Sequence, residues 1–402
     1  MKNSVKQHAS ALTAVLACLA LALVLYHSLA GGTLLQSSPY NSYALQAENW
    51  LAGRNNIANG ENYTWLELAI YQGRYYQSFP PVPAVLMLPF VAAAGEWSAI
   101  PGNLIAMGLA LLCAGGVYAC CMRGGMQPVT CAFFTLFVSM GSNVFWMSTS
   151  DGVWFLAQVC ALGFAFWGLF FAQGGNAVQD AAASLCMALA VGCRPFYALL
   201  LACWLGWQFY QRRSLKKILP AVVMAACMMA YNFARFGSVT EFGHNYLPEF
   251  VRAENGQFSL TYLVPNLLQL LRPVTLDAQG QLHFEIYNGF LFFAANPLFL
   301  LAMVRGLLLR LPGHQAEVQV SVPLPSAGWF VAAMCLLMTC LTCMHRTLGG
   351  WQFGARYMVD LFPWLFVWFL GRPKWRPDSS AWALCGAAML FNLYGALYML
   401  NT

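Results

Sequence analysis

YQGRYYQSFPPVPAVLMLPF, Tyr71 to Phe90, joins two textures within twenty residues. Its first half is aromatic and basic, and Pro80, Pro81 and Pro83 then lead directly into an apolar run. A proline-opened apolar helix leaves no backbone donors unsatisfied at its start, which suits entry into a lipid environment. The aromatic half therefore belongs at a membrane surface, as the end of a polar loop. The rest of the chain supports that frame. Of 402 residues 60% are hydrophobic and only 8% are charged, against about 25% charged in soluble domains. Mean hydropathy is +0.58.

Apolar runs occur at about 9–30, 84–97, 103–122, 128–147, 153–172, 181–193, 196–211, 218–234, 288–309, 327–345, 356–370 and 381–400. The first is long enough for an uncleaved span and exceeds a usual signal-peptide core. The expected fold is an all-α polytopic membrane protein, a single transmembrane domain over 1–402 with about 10–12 transmembrane helices. Two polar stretches, 31–79 and 235–287, are long enough to fold outside the bilayer and are expected to carry short interfacial helices. In the first, Tyr43, Ala44, Ala47, Trp50 and Leu51 recur at helical spacing.

Charge sets the expected orientation. With the N-terminus cytoplasmic and the short run 84–97 not crossing, one side collects Lys2, Lys6, Arg123, Arg212, Arg213, Lys216, Lys217, Arg305, Arg310, Arg372, Lys374 and Arg376. The other side takes the remaining basic residues together with Glu48, Glu61, Glu67, Asp151, Glu241, Glu249, Glu254, Asp277 and Glu285. This is the positive-inside pattern. The net charge of +6 is thus spread over short loops, which argues against nucleic-acid binding. Fourteen cysteines fall almost wholly within apolar runs and give no disulfide framework or metal set.

On this topology both long loops, Asp151, Arg194, His345, Arg346 and Arg356 share the non-cytoplasmic face. Glu48 and Glu67 are candidate general bases, with a solvated surface charge as the alternative for each. Arg194, in VGCRPF between two half-length runs, is expensive unless it meets an anion or the headgroup layer. His345, Arg346 and Arg356 surround a glycine-rich turn that opens a helix, a combination suited to an anion. Asp360, one turn on, is a candidate partner for Arg356. Asp151 reads as a cap for the helix that follows it.

At these residues the chain resembles the GT-C class of polytopic membrane glycosyltransferases. It is most similar to the branch holding protein O-mannosyltransferases and the aminoarabinose transferases that modify lipid A. The carriers are SYALQAENWLAGR (42–54), YQGRYYQSFPPVP (71–83), the placement of Arg194, and ARYMVDLFP (355–363). Each motif is loose; their order and spacing over residues 10–370 carry the likeness. The family's catalytic Asp falls just before Tyr43, around Pro39 to Asn41, and no acid stands there.

The resemblance implies an inverting enzyme at the bacterial inner (plasma) membrane, active on its periplasmic face. Its donor is a polyprenyl-phosphate sugar; its acceptor is a lipid, glycan or protein, and membrane lipids surround it. Glu67 or Glu48 takes the base role. Arg74, Arg194, Arg356 and Arg346 contact the donor phosphate, and Tyr75, Tyr76, Tyr246 and His345 contact sugar or acceptor. No cofactor is implied; a DxD-like pair is absent from the first loop, and a divalent metal stays open. A non-catalytic flippase or transporter of a lipid-linked sugar, or a scaffold subunit of envelope polysaccharide assembly, would share the arginines without needing a base. Few polar residues (Gln158, Asp360, Asn392) interrupt the apolar runs, which favours an enzyme over a transporter.

Overall fold

The computed structural model describes residues 2–402 apart from 212–214, 277, 281 and 308–322. Arg212, Arg213, Arg310 and Asp277 of the charge pattern lie outside the described residues. Helix α1 (Lys2–Leu29) leads into the first polar loop, which holds α2 (Ser42–Leu51) and strands β1 (Leu68–Tyr71) and β2 (Arg74–Gln77). Helices α3 (Val82–Ala94), α4 (Gly102–Arg123), α5 (Pro128–Ser139), α6 (Val144–Met147) and α7 (Val153–Ala172) follow. Then come α8 (Ala177–Val191), α9 (Ala198–Tyr210) and α10 (Leu219–Phe236). The second polar loop carries α11 (Pro248–Val251), α12 (Leu263–Gln269) and the two-residue strands β3 (Thr275–Leu276) and β4 (Leu282–His283). Helices α13 (Phe292–Ala295), α14 (Leu298–Leu307), α15 (Gly328–Cys343), α16 (Phe362–Leu370) and α17 (Ser379–Tyr398) complete the chain.

Among the described residues five helices are long and apolar enough to cross a membrane: Asn3–Leu29, Gly102–Arg123, Val153–Ala172, Leu219–Phe236 and Ser379–Asn401. Shorter apolar helices accompany them, including Val82–Ala94, Pro128–Ser139, Ala177–Val191 and Gly328–Cys343. At 1.5 Å per residue, the thirteen residues of α3 reach about 20 Å, short of the ~30 Å hydrocarbon core. This is the helix expected not to cross. Helix α7 is the axle of the bundle, packing α4 on one flank and α8 on the other.

The two polar loops depart from the expected surface helices. Helix α2 forms where its spacing predicts, but Tyr43, Ala44, Leu45, Gln46 and Ala47 are all buried, so it is packed in rather than laid on an interface. The quoted stretch begins as a β-hairpin. Gln72 and Gly73 both have positive φ (49° and 72°), and Tyr71 pairs with Arg74 across them. Two residues with φ > 0 make the primed turn whose twist suits a two-residue hairpin. Tyr76 of β2 packs inward against Phe236 at the end of α10 (ring centroids 5.2 Å). Tyr71 completes the cluster with Tyr246 of the second loop at 4.6 Å. Arg235, also buried, donates from Nη1 to the carbonyl of Gln77 (2.6 Å) and from Nη2 to Asn232 Oδ1 (3.0 Å). These contacts fasten the first loop to the second.

Candidate active site

The chain break after α8 is set by Arg194-Pro195, since proline cannot donate into a continuing helix. It delivers Arg194 toward the segment that precedes α16. There Arg194 grips Asp360: Nε lies 2.9 Å and Nη2 2.8 Å from Oδ2. The expected Arg356–Asp360 pair is therefore not formed; Arg194 has claimed the carboxylate. Gln158 of α7 closes the network, donating from Nε2 to the carbonyl of Arg356 (2.6 Å) and, at 3.3 Å, to Asp360 Oδ1.

Arg356 is buried and meets only neutral acceptors. Nη2 donates to the carbonyl of Gly349 (2.8 Å) and Nη1 to Gln158 Oε1 (3.4 Å). Its Nε has no hydrogen-bond partner among the described residues. Glycine is required at 349: φ is +117°, and a Cβ there would sit 2.9 Å from that Nε. Three N–H groups in and after the turn are already engaged. Leu348 and Gly350 donate to Asn288 Oδ1, and Arg356 N donates to Gln352 Oε1 (2.9 Å). Both guanidiniums lie 4.7 Å from the centroid of the Tyr357 ring, which supplies a cation–π surface between them.

Both arginines open onto a cavity of about 520 Å³, walled also by Phe79, Pro80, Trp154, His244, Glu241 and His345. A neck of about 100 Å³ continues from it, bordered by Glu67, Glu249, His345 and Arg356. The neck shares Glu67 and Trp154 with a second cavity of about 690 Å³ on its far side. Glu67 thus stands between two chambers. Its Oε2 accepts from Trp154 Nε1 (3.0 Å), and Oε1 has no hydrogen-bond partner among the described residues. Desolvation raises the Glu67 carboxyl above the usual range, and Glu249 across the neck adds to this. The Glu249 carboxyl is itself raised by desolvation.

His345 lies beside both arginines. Its Nδ1 lies 2.7 Å from the carbonyl of Thr347 and 3.2 Å from Thr347 N, and Nε2 faces Gln257 Nε2 at 3.2 Å. Burial, reinforced by Arg194 and Arg356, pushes His345 down to about 4. Burial and its cationic neighbours push His244 to about 4 as well. Both imidazoles are neutral near pH 7, leaving the arginines as the permanent cations of the chamber.

Other expected site residues stand elsewhere. Glu48 accepts from Trp97 N (3.3 Å) and Arg74 is exposed at the hairpin tip. Tyr75 packs against Gly60, whose absent Cβ makes room for the ring. Tyr76 and Tyr246 belong to the aromatic clasp. Arg346 donates from Nη1 to the carbonyl of Glu249, holding the second loop in place. None of these six lines the three connected cavities. Asp151 does not cap α7, whose N-cap is Gly152. Its carboxylate accepts instead from Ser37 Oγ (2.6 Å), Ser38 N (2.7 Å) and Asn41 Nδ2 (2.7 Å). Trp154, His244, Glu249 and Tyr357 were not singled out by sequence. Each sat in a stretch that could have pointed to it: Tyr357 in ARYMVDLFP, His244 and Glu249 in YNFARFGSVTEFGHNYLPEF (231–250), and Trp154 in STSDGVWF (148–155).

No protein-family model and no curated protein sequence matches the chain. Solved structures do. One is ArnT from Cupriavidus metallidurans bound to undecaprenyl phosphate, with a TM-score of 0.50 and 14% identity, covering 90% of this chain. The fold is GT-C-like. A second match is the Archaeoglobus fulgidus oligosaccharyltransferase tethered with an acceptor peptide, at TM-score 0.39 and 13% identity, over 96% of this chain and 49% of that one. The present chain spans 61% of the ArnT chain.

Proposed function

We propose that this protein transfers a sugar from a polyprenyl-phosphate donor to an acceptor hydroxyl at the non-cytoplasmic membrane face. One observation carries the reading: two guanidiniums, Arg356 buried and Arg194 partly so, flank a chamber whose neck ends at a half-buried carboxylate. The polyprenyl class of donor accords with the undecaprenyl phosphate bound to the ArnT structure.

The chemistry follows from the placement. Glu67, made more basic by desolvation, takes the proton of the acceptor hydroxyl at the neck. The acceptor oxygen attacks the anomeric carbon, and the bond to the lipid phosphate breaks with its electron pair leaving on phosphate oxygen. Arg356, which lacks a carboxylate partner, and Arg194 stabilise that departing anion. Phosphate leaves as a stable anion, so no general acid is needed. Single displacement inverts the anomeric centre.

The test is incubation of the purified chain, in lipid nanodiscs, with radiolabelled polyprenyl-phosphate sugars. Release of lipid phosphate with label on an acceptor is expected. Movement of intact lipid-linked sugar across sealed vesicles without cleavage would replace this reading with that of a flippase.

A further inference from the structure

The chamber beyond Glu67 differs in kind from the arginine chamber, and that difference bears on what enters it. Its volume of about 690 Å³ lies in the range of sites for small organic ligands. Trp146, Trp154 and Phe155 form the inner wall, and Tyr40, Tyr287 and Trp351 stand toward the outside. The inner rings hold one another edge to face: Trp146 to Phe155 at 4.5 Å and Trp146 to Trp351 at 5.4 Å. Tyr40 leans on Trp154 at 5.4 Å. The outer rings remain partly uncovered, with 40% of Tyr40, 38% of Trp351 and 64% of Tyr287 exposed.

Two serine hydroxyls sit among these rings with hydrogen-bonding capacity to spare. Ser38 Oγ accepts from Tyr40 N (3.1 Å) and Ser150 Oγ from Gly152 N (3.1 Å), so each O–H is left to donate. No Lys, Arg or His borders this chamber among the described residues, and Glu67 is its one charged side chain there. A phosphate or sulfate would therefore find repulsion and no cation. Aliphatic lining is confined to Pro39, Met399 and Leu400, and rings and hydroxyls make up most of the rest, a poor match to a long acyl chain. Aromatic faces carry negative quadrupole charge and attract weakly positive C–H groups. Flat rings bearing C–H on one face and hydroxyls at their edge match this lining.

We infer that this second chamber is a binding site for a neutral carbohydrate, so that the acceptor is a glycan hydroxyl delivered to Glu67 from the side opposite the donor. The inference rests on the proposed transfer reaction for its consequence, though the binding itself does not. Tyr40, Trp351 and Tyr287 are its specificity-determining rings, and Ser38 and Ser150 read the hydroxyls.

The experiment uses the full chain in nanodiscs and saturation-transfer NMR with neutral oligosaccharides of glucose, mannose, galactose and N-acetylglucosamine. Binding of undecaprenyl phosphate is measured in parallel. At least one oligosaccharide is expected to receive saturation at its ring protons. Trp351→Ala and Tyr287→Ala, both at exposed rings whose loss leaves the helical core intact, are each expected to weaken its binding roughly ten-fold. Thermal melts of both variants check that folding is unchanged. If no oligosaccharide binds while undecaprenyl phosphate does, the inference fails and the donor reading survives. If an oligosaccharide binds with undecaprenyl phosphate silent, the donor reading fails and the carbohydrate site survives. Oligosaccharide binding undiminished in both variants would place the sugar elsewhere and overturn the inference.

Discussion

Asp151 and Glu67 are both carboxylates of the polar end, and Arg194 and Arg356 are both guanidiniums largely withdrawn from solvent, yet the members of each pair have opposite surroundings. Asp151 takes hydrogen bonds from three donors and borders no cavity of the connected set. Arg194 holds Asp360 through two nitrogens. Glu67 has one donor and Arg356 no carboxylate. A buried polar group with its demand met is part of the scaffold. One left with unused capacity beside a cavity is where a ligand completes the set. The difference between the pairs is thus one of satisfaction rather than of residue type.

The largest effect that would sharpen this contrast is at Glu67. Glu67→Gln preserves shape and the bond from Trp154 but removes the proton acceptor. Transfer is expected to fall roughly 10²–10⁴-fold, the usual contribution of a general base, with the melting temperature unchanged or slightly raised. The direction of stability follows from the raised carboxyl: its ionisation opposes the fold, so stability is lost as pH rises through its folded value. Activity runs the other way. The base form exists only above that raised value, so kcat/KM should climb with pH through it and then level. Neither His244 nor His345, both pushed to about 4, contributes a falling limb near neutrality. A flat profile in the parent protein would take the base role from Glu67.

Next come the arginines. Arg356→Ala should lower transfer roughly 10²–10³-fold, as loss of a transition-state anion contact does, and weaken undecaprenyl phosphate binding. It strands no carboxylate, so the fold should hold. Arg194→Ala leaves buried Asp360 without its cation and should cost about 3–5 kcal/mol of stability. Arg194→Ala combined with Asp360→Asn should recover much of that. Thermal melts and donor binding measured side by side separate the two roles. Should both single variants behave alike, the contrast between paired and unpaired arginines collapses.

How far these roles were legible beforehand depends on what each required. Apolar runs located the helices because a bilayer demands long stretches without charge. The break at Arg194-Pro195 and the short α3 followed from proline and length. Residue type also brought Glu67, Arg194, Arg356 and His345 to notice, and the fold gathers these four around connected cavities. What sequence could not supply was pairing. Asp360 lies four residues from Arg356, yet its partner comes from a residue 166 positions away. Asp151 precedes a helix as a cap would, yet its donors come from 113 or so positions upstream. In QGRYY the positive φ of Gln72 and Gly73 turns an aromatic segment into a hairpin that leaves Arg74 exposed at its tip and packs Tyr76 against Phe236.

At Asp151 the expected effect is on folding. Asp151→Asn replaces one accepting oxygen with an NH₂ group that faces existing donors, a mismatch worth about 1–3 kcal/mol. Chemical denaturation should show the loss. Transfer per folded molecule should change little, because the side chain reaches no chamber. A drop in specific activity as large as that of Glu67→Gln would move Asp151 from scaffold to chemistry and reverse the comparison.

The smallest effect separates two neighbours within the hairpin. Arg74 stands exposed at its tip, so Arg74→Ala should shift stability by no more than about 0.5 kcal/mol and leave transfer within roughly two-fold. Tyr76, two residues on, is buried against Phe236, and Tyr76→Ala should cost about 3 kcal/mol as an aromatic cavity does. Because the clasp joins the first loop to the second, that loss should also loosen the loops that bear Glu67 and His244. Hydrogen exchange over residues 66–79 and 237–250 would detect it. Unchanged exchange in Tyr76→Ala would mean the chambers are held by the helices alone, and a strong loss of donor binding in Arg74→Ala would bring the hairpin tip back to the lipid phosphate.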